Sequence, residues 1–388
     1  MFQVPFVPLF KVLPEGFPQW IITICKIRIN VQLIIAKTYA LQYGQYKFNK
    51  HMGSLAFVQS RSSTASLIHI LMDGGEMKIK KKLIIGSRGS NLALWQSNFI
   101  KHKLEKRYND LKVIIKRIKT KGDKIIDVAL SKIGDKGLFT KDLENELLKG
   151  SIDIAVHSLK DLETHIPDGL KLAAITRRHN AEDVLIAKKP GVTIRTLPLE
   201  STVATGSLRR KSQLLHIRPD IKIVDLRGNV PTRIQKFLNS DWHGIILARA
   251  GVERLKMEQH ISSIISMDEI IPAVGQGALG IEIKADNQIA AEMILAVHDH
   301  DTFLAVSAER AFLKSLQGGC QVPIGAYARV KSNGLYLSAV IGSIDGKTLL
   351  KKKTRGSKSN PEKTGEALAD DLLKAGAGRI LEDIYKQV

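Results

Sequence analysis

The sequence predicts an α/β protein: two α/β domains followed by a small α+β domain with an antiparallel sheet. Three observations carry that reading. Short apolar runs alternate with helical patterns from Lys82 to about Gly251, the mark of strand–helix–strand units. Four of those runs end in clusters of Ser, Gly and Arg or Lys. Past Gln321 the pattern changes to three strand-like segments with Asn-Gly and Asp-Gly turns at Asn333 and Asp345, closed by a helical stretch.

Taken in order, Lys82 to Gly86 is a buried strand, and Ser90 caps a helix whose apolar face is Leu92, Trp95 and Phe99. Val113 to Ile118 is the second strand. A polar stretch follows through Lys132 and Lys136, mobile around Gly134 to Gly137, and then a helix from Leu138 to Lys149 with Phe139, Leu143 and Leu147 on one face. Asp153 to His157 is the third strand, and Leu170 to Ile175 and Asp183 to Ala187 flank a crossover into the second domain. There Thr202 to Thr205, Ile221 to Leu226 and His243 to Ala248 are strands, with helices through Leu215 and from Pro231 to Leu238. Gly275, Gln276 and Gly277 make a tight approach before another strand. Helices are expected at Ala290 to His298 and Phe303 to Leu316. Strands at Ala326 to Val330, Leu335 to Ile341 and Leu349 to Thr354 precede one last helix, Pro361 to Lys386. The domains expected are 77–177 with 277–296, then 182–272, then 300–388.

Residues 1–76 differ from the rest. They hold few acids, and their apolar run from Trp20 to Ala36 is broken by Lys26 and Arg28, which argues against a membrane span. The segment is expected to lack a fixed fold, as a transit-like leader or as sequence outside the working protein. The first reading would place the chain in an organelle and the second in the cytoplasm, the expectation adopted.

Composition narrows the function. Of 388 residues 44% are apolar and 25% charged, ordinary globular values. Two cysteines, Cys25 and Cys320, lie far apart in unlike contexts, so neither a disulfide framework nor a metal site is expected. A net charge of +21 calls for an anionic partner. Aromatic content of 5% and the lack of any finger or RNA-recognition signature argue against nucleic acid.

The strand ends supply the candidate site. Ligands of open α/β sheets bind beyond the carboxyl ends of the strands, where helix N-termini add free N–H groups. A lone Arg there is usually a surface residue, but Arg88, Lys160, Arg209, Arg210, Arg227 and Arg233 all occupy equivalent places. Arginine grips carboxylate or phosphate through two bonds, so the ligand is an oligo-anion. The lack of a Walker loop or a Gly-x-Gly-x-x-Gly after a strand argues against nucleotides. Asp161, an acid in this basic set, either balances charge or acts as a general acid/base and a stabiliser of a cationic intermediate. His157 reads as structural. Cys320, in Gly318-Gly319-Cys320-Gln321-Val322-Pro323, is either a small buried hydrophobe or a thiol that a glycine-freed loop brings to a cleft.

Five stretches in order resemble the porphobilinogen deaminase family: His157-Ser158-Leu159-Lys160-Asp161, Gly206-Ser207-Leu208-Arg209-Arg210, Leu226-Arg227-Gly228-Asn229, Pro272-Ala273-Val274-Gly275-Gln276-Gly277, and the Gly-Gly-Cys loop at Cys320. The resemblance implies two periplasmic-binding-protein-like α/β domains plus the small third one. It implies a transferase that joins four porphobilinogen units head to tail with loss of ammonia, on a dipyrromethane cofactor held through Cys320, with no metal. Asp161 matches the carboxylate facing the pyrrole nitrogens. Lys160, Thr205, Ser207, Arg209 and Arg210 match cofactor contacts, Arg88, Ser90, Arg227 and Arg233 match substrate contacts, and Lys132, Lys136 and Phe139 match the loop over the cleft. A monomer suffices, with porphobilinogen as the partner. The competing reading is a non-catalytic oligo-anion-binding protein.

Overall fold

The structure, a computed structural model, describes residues 82–120, 140–318 and 322–386. In chain order the strands are β1 (Lys82–Ser87), β2 (Lys112–Arg117), β3 (Ile154–Ser158), β4 (Leu170–Ile175), β5 (Asp183–Ala187), β6 (Thr202–Ala204), β7 (Lys222–Val224), β8 (Gly244–Ala248), β9 (Ser263–Ile264), β10 (Leu279–Lys284), β11 (Ile324–Lys331), β12 (Gly334–Gly342) and β13 (Leu349–Gly356). They form three sheets, ordered β2-β1-β3-β10-β4, β7-β6-β8-β5-β9 and β11-β12-β13. The first two share one plan, a parallel trio followed by an antiparallel strand and an edge strand. In the first sheet that antiparallel strand is β10, so the chain leaves after β4, builds the second sheet and returns.

The helices are α1 (Asn91–Arg107), α2 (Lys141–Leu148), α3 (Leu208–Ile217), α4 (Val230–Leu238), α5 (Arg249–Arg254), α6 (Gln288–Ile294), α7 (His300–Ser315), α8 (Pro361–Leu372) and α9 (Gly378–Tyr385). Helix α1 and helix α6 close one core with Leu83, Ile85, Ile154 and Ile281. The second sheet is covered on both faces, by Ile234 and Phe237 on one and Leu214 and Ile270 on the other. Helices α7 and α8 cover one face of the third sheet, with Phe312 and Leu368 fully buried among Ala326, Leu337 and Ala339. This is the α/β architecture with an antiparallel third sheet that the sequence predicts.

The crossing segments run through Thr176 to Glu182 on the way out and Pro272 to Ala278 on the way back. Gly275 and Gly277 hold φ of +70° and +88°, and a Cβ on Gly277 would lie 2.5 Å from His179 O. The two segments touch there: His179 N donates to Gly277 O at 3.0 Å. No other residue type allows both that conformation and that approach.

Four expectations need correction. Helix α1 does bind its Ser90 cap, which accepts from Ala93 N at 3.3 Å, but it buries Gln96, Ser97, Ile100 and Leu104. Leu92, Trp95 and Phe99 stay half-buried, with Trp95 and Phe99 stacked at 5.5 Å on its flank. Polar Gln96 and Ser97 sit on the inner face, so hydrophobicity alone misplaces it. The last helix is two, because Gly376 adopts φ +101° and breaks the run between α8 and α9. The helix expected from Ala290 stops at Ile294 and continues as a 3₁₀ turn, Leu295–Val297. Helix α7 starts earlier than Phe303, at His300, because Asp299 caps it by accepting from Thr302 N. The start of the helix expected from Leu138 lies outside the described residues.

Candidate active site

Parallel pairing decides where the site forms. β1 and β3 run the same way, as do β6, β7 and β8, so their carboxyl ends collect at one edge of each sheet. Beyond the first edge come Arg88, Ser90, Lys160 and Asp161. Beyond the second come Thr205, Ser207, Arg209, Arg210, Arg227 and Arg233.

β3 runs into a single 3₁₀ turn, Leu159–Asp161, closed by Leu162 N donating to Leu159 O at 3.2 Å. Leu159 is buried and anchors the turn; Lys160 is half-buried and Asp161 exposed. Ser158 Oγ accepts from Gln96 Nε2 of α1 at 2.7 Å, which fixes the strand end. His157 takes the structural part: it is buried, with Nε2 3.1 Å from Glu282 Oε2 on β10.

On the second sheet, Arg209 and Arg210 open helix α3 and are buried. Both reach Asp183 at the start of β5. Arg209 Nη2 donates to Oδ2 at 2.8 Å and Arg210 Nη2 to Oδ1 at 2.7 Å. Their Nη1 groups donate to Ile271 O and Ile246 O. Gln276, between the two positive-φ glycines, completes the knot by donating to Asp183 Oδ1 at 2.9 Å. Burial works to raise the Asp183 pKa, but Arg209 and Arg210 outweigh it and hold the carboxyl below its usual range. Burial likewise lowers the pKa of Arg209.

Nearer the opening, Arg227 Nε donates to Asp225 Oδ2 at 2.9 Å and Arg233 Nε to Gly228 O at 2.6 Å. Burial, with the repulsion of Arg210 and Arg227, brings the Arg233 pKa down to about 10, while Asp161 and Asp225 oppose the fall. Lys160 is lowered by burial and by Arg210 and Arg209, with Asp161 and Asp183 opposing. These mutual influences place residues of both sheets in one neighbourhood. Lys160, Arg209, Arg210, Arg227 and Arg233 outnumber Asp161, Asp183 and Asp225, so the neighbourhood is cationic.

The remaining candidates take other places at the strand ends or fall outside the described residues. Ser90 Oγ accepts the α1 cap bond, and its O–H is still a donor. Thr205 is buried and its Oγ1 accepts from Ser207 N at 3.3 Å, shaping the turn into α3. Arg88 is half-buried at the end of β1. Cys320, Lys132, Lys136 and Phe139 lie outside the described residues. Sequence reasoning missed Asp183, Gln276 and Gln96. The signal for the first was an acid opening an otherwise apolar strand, Asp-Val-Leu-Ile-Ala, and for the second an amide between glycines.

Fold and site together define an α/β protein that gathers cationic side chains beyond the carboxyl ends of two sheets, with Asp161, Asp183 and Asp225 among them. The family profile described as porphobilinogen deaminase, dipyromethane cofactor binding domain, matches residues 83–292, and the porphobilinogen deaminase C-terminal domain matches residues 303–374. The porphobilinogen deaminase of Carboxydothermus hydrogenoformans is 51% identical over 308 residues, covering 79% of this chain and 99% of that protein. That of Chloroherpeton thalassium is 49% identical over 312 residues, covering 79% and 98%. Among solved structures, the methionine binding protein MetQ aligns with a TM-score of 0.37 at 12% identity over 56% of this chain and 90% of that one, a weak likeness. The chain belongs to the porphobilinogen deaminase family. It is a transferase of tetrapyrrole biosynthesis that condenses four porphobilinogen units on a dipyrromethane cofactor and releases the linear tetrapyrrole. The non-catalytic alternative is not supported.

The residues present fit that cofactor. Its carboxylates need cationic donors, and the cluster has them in excess; in addition, Arg210 Nε is buried with no acceptor among the described residues. Among the described residues no group of His, Cys, Asp and Glu is arranged to hold a metal ion, and no helix is long and apolar enough to cross a membrane.

Proposed function

We propose that Asp161 is the catalytic carboxylate of the condensation and that the cations around it divide between cofactor and substrate. The observation that carries this is the placement of one exposed carboxylate on a hydrogen-bonded 3₁₀ turn, beside Lys160 and within the field of Arg233.

When bound, dipyrromethane supplies the free pyrrole α-carbon on which the chain grows. Cys320 is assigned as its thioether anchor. Lys160, Thr205, Ser207, Arg209 and Arg210 hold its acetate and propionate groups, with Arg209 and Arg210 pre-set by Asp183 so that little orientation remains to be lost on binding. Arg88, Ser90, Arg227 and Arg233 take the carboxylates of the incoming porphobilinogen, and Lys132, Lys136 and Phe139 belong to the loop over the cleft.

Loss of ammonia from porphobilinogen leaves a cationic methylene-pyrrole. Asp161 stabilises that charge through the pyrrole N–H, a preorganised electrostatic task that often supplies the largest share of a rate enhancement. With the cofactor held there, its free α-carbon would accept the methylene and give up its own proton in exchange. Asp161 would be the base that takes that proton.

The domains are assigned as 77–177 with 277–296, then 182–272, then 300–388. The chain acts as a monomer in the cytoplasm without nucleic acid; the relatives it matches are bacterial. Asp161→Ala tests the central assignment. Turnover of porphobilinogen falls by at least 100-fold with the fold intact, and a wild-type rate overturns it.

A further inference from the structure

Helix α7 presents Phe303, Val306 and Arg310 on one face, at spacings of three and four. Phe303 and Val306 pack with Leu159 and Leu162, the two apolar anchors of the Lys160–Asp161 turn. Arg310 goes further. Its Nη1 donates to Leu162 O at 3.1 Å and its Nη2 to Glu163 O at 2.5 Å, the carbonyls of the two residues after Asp161.

The electrostatics favour this grip. Burial lowers the Arg310 pKa to about 10 while Glu282 opposes the fall, so the guanidinium is charged at neutral pH. Glu282 is the residue that pairs with His157 on β3, the strand that delivers the turn. Its Oε1 is buried with no hydrogen-bond partner among the described residues. The joint is not filled by packing: a cavity of about 450 Å³, open to solvent and lined by Thr164, Leu172, Ile175, Phe303, Val306 and Arg310, lies beside it.

We propose that Arg310 is a positioning residue for the condensation: by gripping two successive carbonyls it fixes the Lys160–Asp161 turn to the helix that leads in sequence to Cys320. Apolar contacts set the distance between helix and turn but leave them able to slide. A planar fork with two bonds sets the orientation as well. The inference rests on the assignment of Asp161 and Cys320 above. It adds that one helix holds the catalytic turn in a fixed orientation.

The test uses the full-length holoenzyme. Arg310→Met keeps the apolar stem and loses the fork. It should carry the full dipyrromethane adduct by intact mass, keep KM within about twofold and lose about 10- to 100-fold in kcat, the scale of an ångström-sized misplacement. Arg310→Lys, with one point donor, should lie between. Guanidinium added to Arg310→Ala should enter through the neighbouring cavity and restore part of kcat. Val306→Ala, which loosens the same joint by packing alone, should lower Tm yet keep kcat and ignore guanidinium. A loaded Arg310→Met enzyme with wild-type kcat, or an Arg310→Ala enzyme that guanidinium does not help, overturns this inference alone. Wild-type protein that takes up no adduct overturns the Cys320 assignment first, and this inference with it.

Discussion

Arg178 and Glu309 form a buried ion pair at 2.8 Å that joins three parts of the chain. Arg178 lies in the segment leaving the first sheet. Glu309, on helix α7, also accepts from Gly275 N of the returning segment at 2.8 Å and from Ala328 N of β11 at 2.7 Å. Arg178 stacks over Tyr327 of β11, 5.1 Å from the ring centroid. Both crossings between the two large sheets are therefore tied to the third sheet through one carboxylate.

Glu309→Gln keeps the shape and removes the charge, leaving the Arg178 guanidinium with no carboxylate at that position. Breaking a buried pair in this way costs roughly 3–5 kcal/mol. Urea unfolding should show the midpoint falling by that equivalent. An unchanged midpoint would mean that the pair is dispensable and that other contacts, such as those of Gly277 and Gln276, hold the crossings.

Asp183→Asn acts at the cofactor side. Arg209 and Arg210 lose their shared counter-charge, so both stability and the geometry of the pair suffer, again on the order of 3–5 kcal/mol. Apoenzyme of this variant should load dipyrromethane at least tenfold more slowly. The pH dependence has a definite sign. A carboxyl depressed in the folded state stabilises fully above its unfolded pKa of about 3.9, and that contribution is lost as pH falls through the lower folded value. The acid unfolding limb of the wild type should flatten in the variant, and an identical limb would contradict this.

Lys160 gives the alkaline counterpart. Burial and the neighbouring arginines lower its pKa, so its ammonium is lost at a pH below that of an ordinary lysine, about 10.4. The rate of cofactor loading should decline on the alkaline side before that point. Lys160→Arg, which keeps its charge, should remove the decline; a decline that persists would place the titrating group elsewhere.

Much of this was legible in the chain. Apolar runs ending in Ser, Gly and Arg place β1, β3, β6 and β7 and their loops, because parallel strands must deliver their carboxyl ends to one edge. The antiparallel third sheet follows from its Asn-Gly and Asp-Gly turns. What was not legible depends on partners distant in sequence. Asp183 reads as the first residue of a strand until Arg209, Arg210 and Gln276 close on it. Arg310 reads as a helix-surface cation until Leu162 and Glu163 appear opposite. Gln96 displaces the expected apolar face of α1 because it is needed at Ser158, which no helical periodicity reveals.

The most direct measurement is the intact mass of the purified protein beside its Cys320→Ser variant, each after incubation with porphobilinogen. The account predicts a mass excess equal to one dipyrromethane on the wild type, resistant to denaturation, with none on the variant. An unmodified wild-type mass after that loading, or an equal adduct on the Cys320→Ser chain, would contradict it.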